Sequence, residues 1–482
     1  MFRISDSNRP WWTLAGACSG LFLLMLDSTV VALALPAIRG DVGASAEGLQ
    51  WVMNGYLLTI AVLVVTAGRL GDMFGRKRVF VAGMAVFAVG SVVSGAAGDQ
   101  LGLIVGRVIQ GAGAAPMLSL SLALVCNAFS DRDQPRALGI WAAVSALALA
   151  IGPLAGGVLI EIDWRVIFWM NLPVAAVGIA IVLVAAPEST DPAAGTRVDW
   201  AGLAALSVGV TAVVLALVQS RAWGAATIVA VSLSGLLSLL AFWRIEHRVR
   251  EPIVDFALFR NRPYFGASAA AFALVGGYWA LMFFQPQYLQ DVRGHSPIVS
   301  GVMILPVTVP MIFVSPFSGR LIARFGARGL MTVGMAFGLA GLLVLTQVGA
   351  ASPYLLTLAG YLLFGIALGL VYAPMSTAAM AAMPREKVGI ASGVLAMDRV
   401  LAGAVALAAT GAVFHALQGD GHSFAASVAG STWVPAVLCA VGIGLTWAFV
   451  RDPKQPGPDP AVAGDPPPSE LKHHRHHRRF HL

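Results

Sequence analysis

The stretch Gly68-Arg69-Leu70-Gly71-Asp72-Met73-Phe74-Gly75-Arg76-Lys77-Arg78 is a charged loop between two long apolar runs. About 250 residues later its frame returns as Gly319-Arg320-Leu321 followed by Phe325-Gly326. Ala115-Pro116-Met117, inside an apolar run, returns at nearly the same offset as Ala373-Pro374-Met375. A loop and a span repeated together indicate two copies of one multi-span unit.

The nature of that unit follows from composition. Residues AVILMFWYC make up 58% of the 482 and DEKR 11%, against roughly 25% charged in a soluble domain. Mostly apolar runs long enough to cross a hydrocarbon core of about 30 Å recur along the whole chain. They are continuous and do not alternate, which selects helices over barrel strands. The expected fold is an all-α polytopic membrane protein.

The runs lie near 12–36, 48–70, 79–98, 100–128, 137–161, 164–186, 200–220, 224–243, 264–289, 297–322, 329–348, 353–380, 388–416 and 428–450. The first is too long, and too poorly matched to a cleavage site, for a removable signal peptide. Both repeats are displaced by eight spans, so spans seven and eight are an insert between two six-span halves. The expected organisation is an N-terminal bundle at 1–190, an inserted hairpin at 191–245, a C-terminal bundle at 246–452 and a disordered, proline-rich tail at 453–482.

Of 31 Lys and Arg residues, 25 fall on one side of the alternating loops and 4 on the other, while Arg107 and Arg399 fall inside spans. By the positive-inside rule both termini are expected in the cytoplasm. The formal charge of +7 is thereby read as topology, not as a nucleic-acid surface. Arginine far outnumbers lysine, a composition expected of a GC-rich bacterial genome, so the cytoplasmic membrane of a bacterium is the expected location. Cys18, Cys126 and Cys439 each fall in a span, which argues against a disulfide framework or a cysteine metal site. The tail histidines His473, His474, His476, His477 and His481 are read as solvated disorder or as a metal-binding tract.

These blocks resemble the major facilitator superfamily. Gly68 to Arg78 is similar to its signature between helices 2 and 3. Leu26-Asp27-Ser28-Thr29-Val30-Val31 with Leu35-Pro36, and Arg107 with Gln110-Gly111-Ala112-Gly113, match two further blocks. Gly152-Pro153 with Gly156-Gly157, running into Trp164-Arg165 and Asn171-Leu172-Pro173, resembles the antiporter motif. As a set they resemble the fourteen-helix drug:proton antiporter family. The resemblance implies two parallel six-helix bundles with the substrate site between them, and export of amphipathic organic compounds at the expense of the proton gradient. No cofactor or metal is implied, and a single chain is expected to work as a monomer in the bilayer. Two departures stand out: Ala323 replaces the counterpart of Asp72, and Ala391-Ser392-Gly393 leads to Ala396-Met397-Asp398-Arg399, where the family places an amide residue and a polar run before arginine.

Charges inside a bilayer mark functional sites by default. At 1.5 Å per residue Asp27 lies about 22 Å up from the cytoplasmic end of its helix, and Arg107 about 10 Å down from the outer end of its own. They therefore share one level, as a proton-coupling pair or as a static pair joining two helices. Asp398 lies about 15 Å deep, a candidate substrate or second proton site with Arg399. Tyr56, Trp141, Tyr278, Trp279 and Phe283 supply flat apolar surface that suits aromatic and cationic compounds, although each also fits lipid contact or packing. Asp72 and Arg76, with Gly68, Arg69 and Gly75, form a candidate cytoplasmic gate, or else only a basic topology signal. Gly152, Pro153, Gly156 and Gly157 permit a bend or a tight seam, though Gly and Pro are common in membrane helices.

The leading expectation is a proton-coupled exporter of amphipathic molecules, with export of one endogenous metabolite as the alternative and a non-transporting sensor well behind. An enzyme is not expected, because the chain has neither His-Glu-x-x-His nor a P-loop.

Overall fold

The computed structural model describes residues 5 and 8–450, apart from 131, 192–197, 250 and 385–386. The tail at 453–482, with its histidines, lies outside the described residues. Fourteen helices are long and apolar enough to cross a membrane: α1 (Arg9–Val42), α2 (Ala46–Phe74), α3 (Arg76–Gly95), α4 (Gln100–Ala128), α5 (Gln134–Ile162), α6 (Val166–Ala185), α7 (Trp200–Val218), α8 (Ala225–Glu246), α9 (Arg262–Val292), α10 (Pro297–Val314), α11 (Ser318–Leu345), α12 (Tyr354–Ala381), α13 (Val388–Gly419) and α14 (Phe424–Phe449). Several of their starts are set by short polar side chains that occupy otherwise orphaned amides. Ser45 accepts from Gly48 N, Asp99 from Gly102 N, Asp199 from Gly202 N and Asn261 from Tyr264 N.

Small residues let helix axes approach where lipid gives no hydrophobic drive to associate. At the seam of α3 and α4 a Cβ on Gly113 would stand 2.3 Å from Phe87 N, so only glycine fits. The same pairing recurs between α11 and α12. The inserted helices α7 and α8 pack on one another, and α7 leans on α2 and α13. Arg221 in their connecting turn donates to the Ala416 carbonyl at 3.0 Å.

The tenth and eleventh spans differ from the apolar runs at 297–322 and 329–348. Pro306, Pro310 and Pro316 cannot donate backbone hydrogen bonds, and α10 is interrupted by a 3-10 turn at Leu305–Val307 and ends in another at Ser315–Phe317. α11 starts at Ser318 and breaks at Gly326, where φ is 75°. Gly75, between α2 and α3, has φ 110°. The repeated Phe-Gly pair is thus a repeated backbone reversal that a side-chain-bearing residue rarely adopts.

Candidate functional site

Arg107 is fully buried, and its partners come from three helices. Its Nη1 donates to Asp27 Oδ2 at 2.5 Å and to Gln110 Oε1 at 2.8 Å, while Nε reaches the Val52 carbonyl at 3.3 Å. The side chains of Asp27 and Arg107 are both 0% exposed. Asp27 Oδ1 accepts from Gln110 Nε2 and Asn171 Nδ2, each at 3.2 Å, and Ser91 Oγ accepts from the same two amides at 2.8 and 3.2 Å. The guanidinium carbon sits 4.0 Å from the centroid of the Tyr56 ring. Arg107 Nη2 and Asn171 Oδ1 keep no partner. Two opposite charges held out of water by amides from α4 and α6 form a matched set, and adding a proton to the carboxylate unbalances it.

Tyr56 separates this set from a cavity between the two bundles, enclosing about 820 Å³ of atom-free space including its open mouth. Helices α1, α2, α4 and α5 form one wall, and α9, α10, α12 and α13 the other. Met25, Leu57 and Ile60 face Val275, Met311 and Leu368, with Tyr278, Trp279, Tyr372 and Arg399 adding aromatic surface and one charge. An apolar chamber with few polar groups suits amphipathic ligands.

The sequence candidates divide. Tyr56, Tyr278, Trp279 and Arg399 line this cavity. Asp398 does not: its Oδ2 accepts from Ser268 Oγ on α9 at 2.9 Å. Trp141 donates from Nε1 to Ser121 Oγ at 3.3 Å, and Phe283 lines a second, smaller cavity with Gln50, Phe414 and His415. Ser91, Gln110 and Asn171 had no assigned role in the sequence. Gln110 and Asn171 stood inside quoted motif blocks without a role of their own, and the signal of Ser91 was polarity inside an apolar span.

The end of the bundle opposite the basic loops is sealed. Arg39 pairs with Asp291 across the two bundles, Gln290 Nε2 donates to the Leu33 carbonyl at 2.9 Å, and Gln50 hydrogen-bonds His415 at 2.9 Å. Gly156 of α5 lies against Val30 of α1, while a Cβ on Gly157 would stand 2.7 Å from Ile298 Cα of α10. Gly152 abuts Thr29, and Pro153 presents its carbonyl to Gly301.

At the basic end Arg76 Nε donates to Asp72 Oδ1 at 2.9 Å within one bundle. Gly75, next to it, would place a Cβ 2.6 Å from Glu188 Oε1, and Gly68 lies near Ser119. The connection between α8 and α9 ties both bundles: Glu251 pairs with Arg69, and Asp255 with Lys387 Nζ at 2.8 Å. Burial raises the Asp255 carboxyl, but the hydrogen bond from Lys387, the Ala257 amide and the lysine charge outweigh it, so it is held below its usual value of 3.8.

Residues 17–407 match the sequence model of the family described as Major Facilitator Superfamily. The chain is 34% identical over 420 residues to a tetracenomycin C resistance and export protein of Streptomyces glaucescens, covering 86% of this chain and 77% of that protein. It is 32% identical over 460 residues to a puromycin resistance protein of Streptomyces alboniger, covering 92% and 90%. Among solved structures, a D-xylose-proton symporter aligns with a TM-score of 0.67 at 13% identity, covering 92% of this chain and 98% of that one. At that identity the likeness is one of fold.

Proposed function

The chain belongs to the major facilitator superfamily and is a multi-pass membrane transporter, not an enzyme, and from that premise we propose that it is a proton-coupled antiporter exporting amphipathic organic compounds from the cytoplasm. Resistance exporters among its relatives support efflux as the direction of transport. The observation that carries the coupling is the fully buried Asp27–Arg107 pair directly behind the cavity wall at Tyr56.

In this reading the protein lies in the bacterial cytoplasmic membrane with its basic loops and both termini inside, and the sealed end faces out. Cargo enters from the cytoplasm between the bundles. When the outer seal at Arg39–Asp291 and Gly157–Ile298 opens, an external proton reaches Asp27. The neutral acid no longer balances Arg107, the Tyr56 wall shifts with the guanidinium it stacks on, and the cargo leaves outward. Asp72, Arg76, Arg69 and Gly75 reset the cytoplasmic gate, and Asp398 against Ser268 is a second place for a proton.

Asp27→Asn tests it in proteoliposomes with an imposed pH gradient. Gradient-driven export is expected to vanish, while the variant still folds and binds ligand without pH dependence. Wild-type pH dependence in that variant would return the pair to a structural role. Export of a single endogenous metabolite is the second reading, favoured by the relative named for tetracenomycin C export, and a compound panel separates the two.

A further inference from the structure

Among the described residues lining the main cavity, Arg399 alone carries a formal charge. A guanidinium at membrane depth is retained when something pairs with it, yet Arg399 forms none of the ion pairs found among the described residues. What it has is the Tyr372 ring, 5.2 Å from its guanidinium carbon. Its neighbour Asp398 accepts from Ser268 on α9; the two charges act on one another, but adjacent residues on a helix do not face one another, and they form no ion pair. The Tyr278 hydroxyl, on the same cavity wall, is buried without a partner. Two donors therefore lack a hydrogen-bond acceptor: the guanidinium stands over the Tyr372 ring, and the Tyr278 ring meets the Trp279 ring edge-on at 5.6 Å between centroids.

We propose that the cavity selects aromatic organic anions, compounds with a planar ring system bearing a carboxylate or phenolate, with Arg399 as the anion-binding residue and the Tyr278 hydroxyl as the second donor. A carboxylate takes two parallel hydrogen bonds from one guanidinium, and the ring system lies on the tyrosine and indole surfaces. A lipophilic cation finds no carboxylate on this wall. Asp27 lies behind Tyr56 with its oxygens committed to Arg107, Gln110 and Asn171, and a second positive charge in the chamber is repelled by Arg399. The inference rests on the export reading for its biological sense, but its test does not depend on transport.

The test is binding to purified protein in lipid nanodiscs with three probes: fluorescein as the anion, ethidium as the cation and N-phenyl-1-naphthylamine as the neutral compound. Wild-type protein is expected to bind fluorescein more tightly than ethidium. Arg399→Gln should weaken fluorescein about tenfold or more with the neutral probe unchanged, and Arg399→Lys should recover part of the loss. Tyr278→Phe, which removes only a hydroxyl, should weaken fluorescein by a smaller factor. Ethidium bound as tightly as fluorescein, absence of fluorescein binding, or equal losses for all three probes in Arg399→Gln would overturn the proposal. Charge-selective binding without export in vesicles would count against the export reading and leave the selectivity standing.

Discussion

The carbonyl oxygen of Pro153 in α5 abuts Gly301 in α10 so closely that a Cβ on the glycine would stand 2.2 Å from it. The contact is backbone against backbone, so no side chain can rotate away to make room. It joins the proline of the antiporter-like motif in one bundle to the first turns of the broken helix in the other.

Gly301→Ala is therefore expected to push α5 and α10 apart and to bias the protein toward opening at the end opposite the basic loops. Overpacking of this kind costs about 1–3 kcal/mol, on the order of tenfold in the ratio of sealed to opened forms. Disulfide formation between cysteines placed at Arg39 and Asp291, which pair across the same seam, reads that ratio. Unchanged cross-linking yield in the Gly301→Ala background would mean that the contact does not hold that end shut.

The linker offers a contrasting, pH-insensitive contact. Asp255, paired with Lys387, is held below its usual value of 3.8. A depressed folded-state value means that its contribution to stability is complete above the unfolded value and is lost only as pH falls through the lower folded one. Across the range from about pH 5.5 to 8.5, where antiport would be assayed, this carboxylate does not change charge. Asp255→Asn should leave the shape of the pH profile of export unaltered and lower stability by at most about 1 kcal/mol, as expected for a partly exposed pair. A displaced profile would show that the linker takes part in proton coupling.

The sequence carried the fold because the bilayer tolerates so few solutions: a continuous apolar run must be a helix, and Gly68 to Arg78 repeated at Gly319 to Gly326 must be a repeated turn. Depth was legible too, since helical rise is constant, and Asp27 and Arg107, placed at one level by counting, lie 2.5 Å apart. Rotation about a helix axis was not. Tyr278 and Trp279 face the main cavity while Phe283, a little over one turn on, faces the smaller one, and Asp398 and Arg399 point to different neighbours. Ser91, Gln110 and Asn171 were visible as polar letters, but the convergence of Gln110 and Asn171 on one carboxylate, with Ser91 accepting from both amides, depends on how α3, α4 and α6 turn toward α1. The interruption of α10 by its prolines was likewise hidden inside an apolar run.

The Asp27–Arg107 pair itself admits a test that separates holding from coupling. Removing one partner of a buried ion pair leaves the other uncompensated and costs about 3–5 kcal/mol, whereas removing both can be nearly neutral. Arg107→Gln alone should thus lower thermal stability markedly, because Asp27 keeps only the amides of Gln110 and Asn171. Asp27→Asn in the same chain should restore most of that stability, since every remaining group of the set can hydrogen-bond as a neutral amide or hydroxyl. The double-mutant cycle then gives the interaction free energy between the two residues. If the pair only joins α1 to α4, recovered stability should bring gradient-driven export back with it. If Asp27 carries the coupled proton, the doubly substituted protein should fold and bind ligand yet carry cargo only down its own concentration gradient, because no group at this level can exchange a proton between the two faces. Export driven by an imposed pH gradient in the double variant would rule out Asp27 as the coupling carboxylate and move attention to Asp398, hydrogen-bonded to Ser268 on the other side of the cavity.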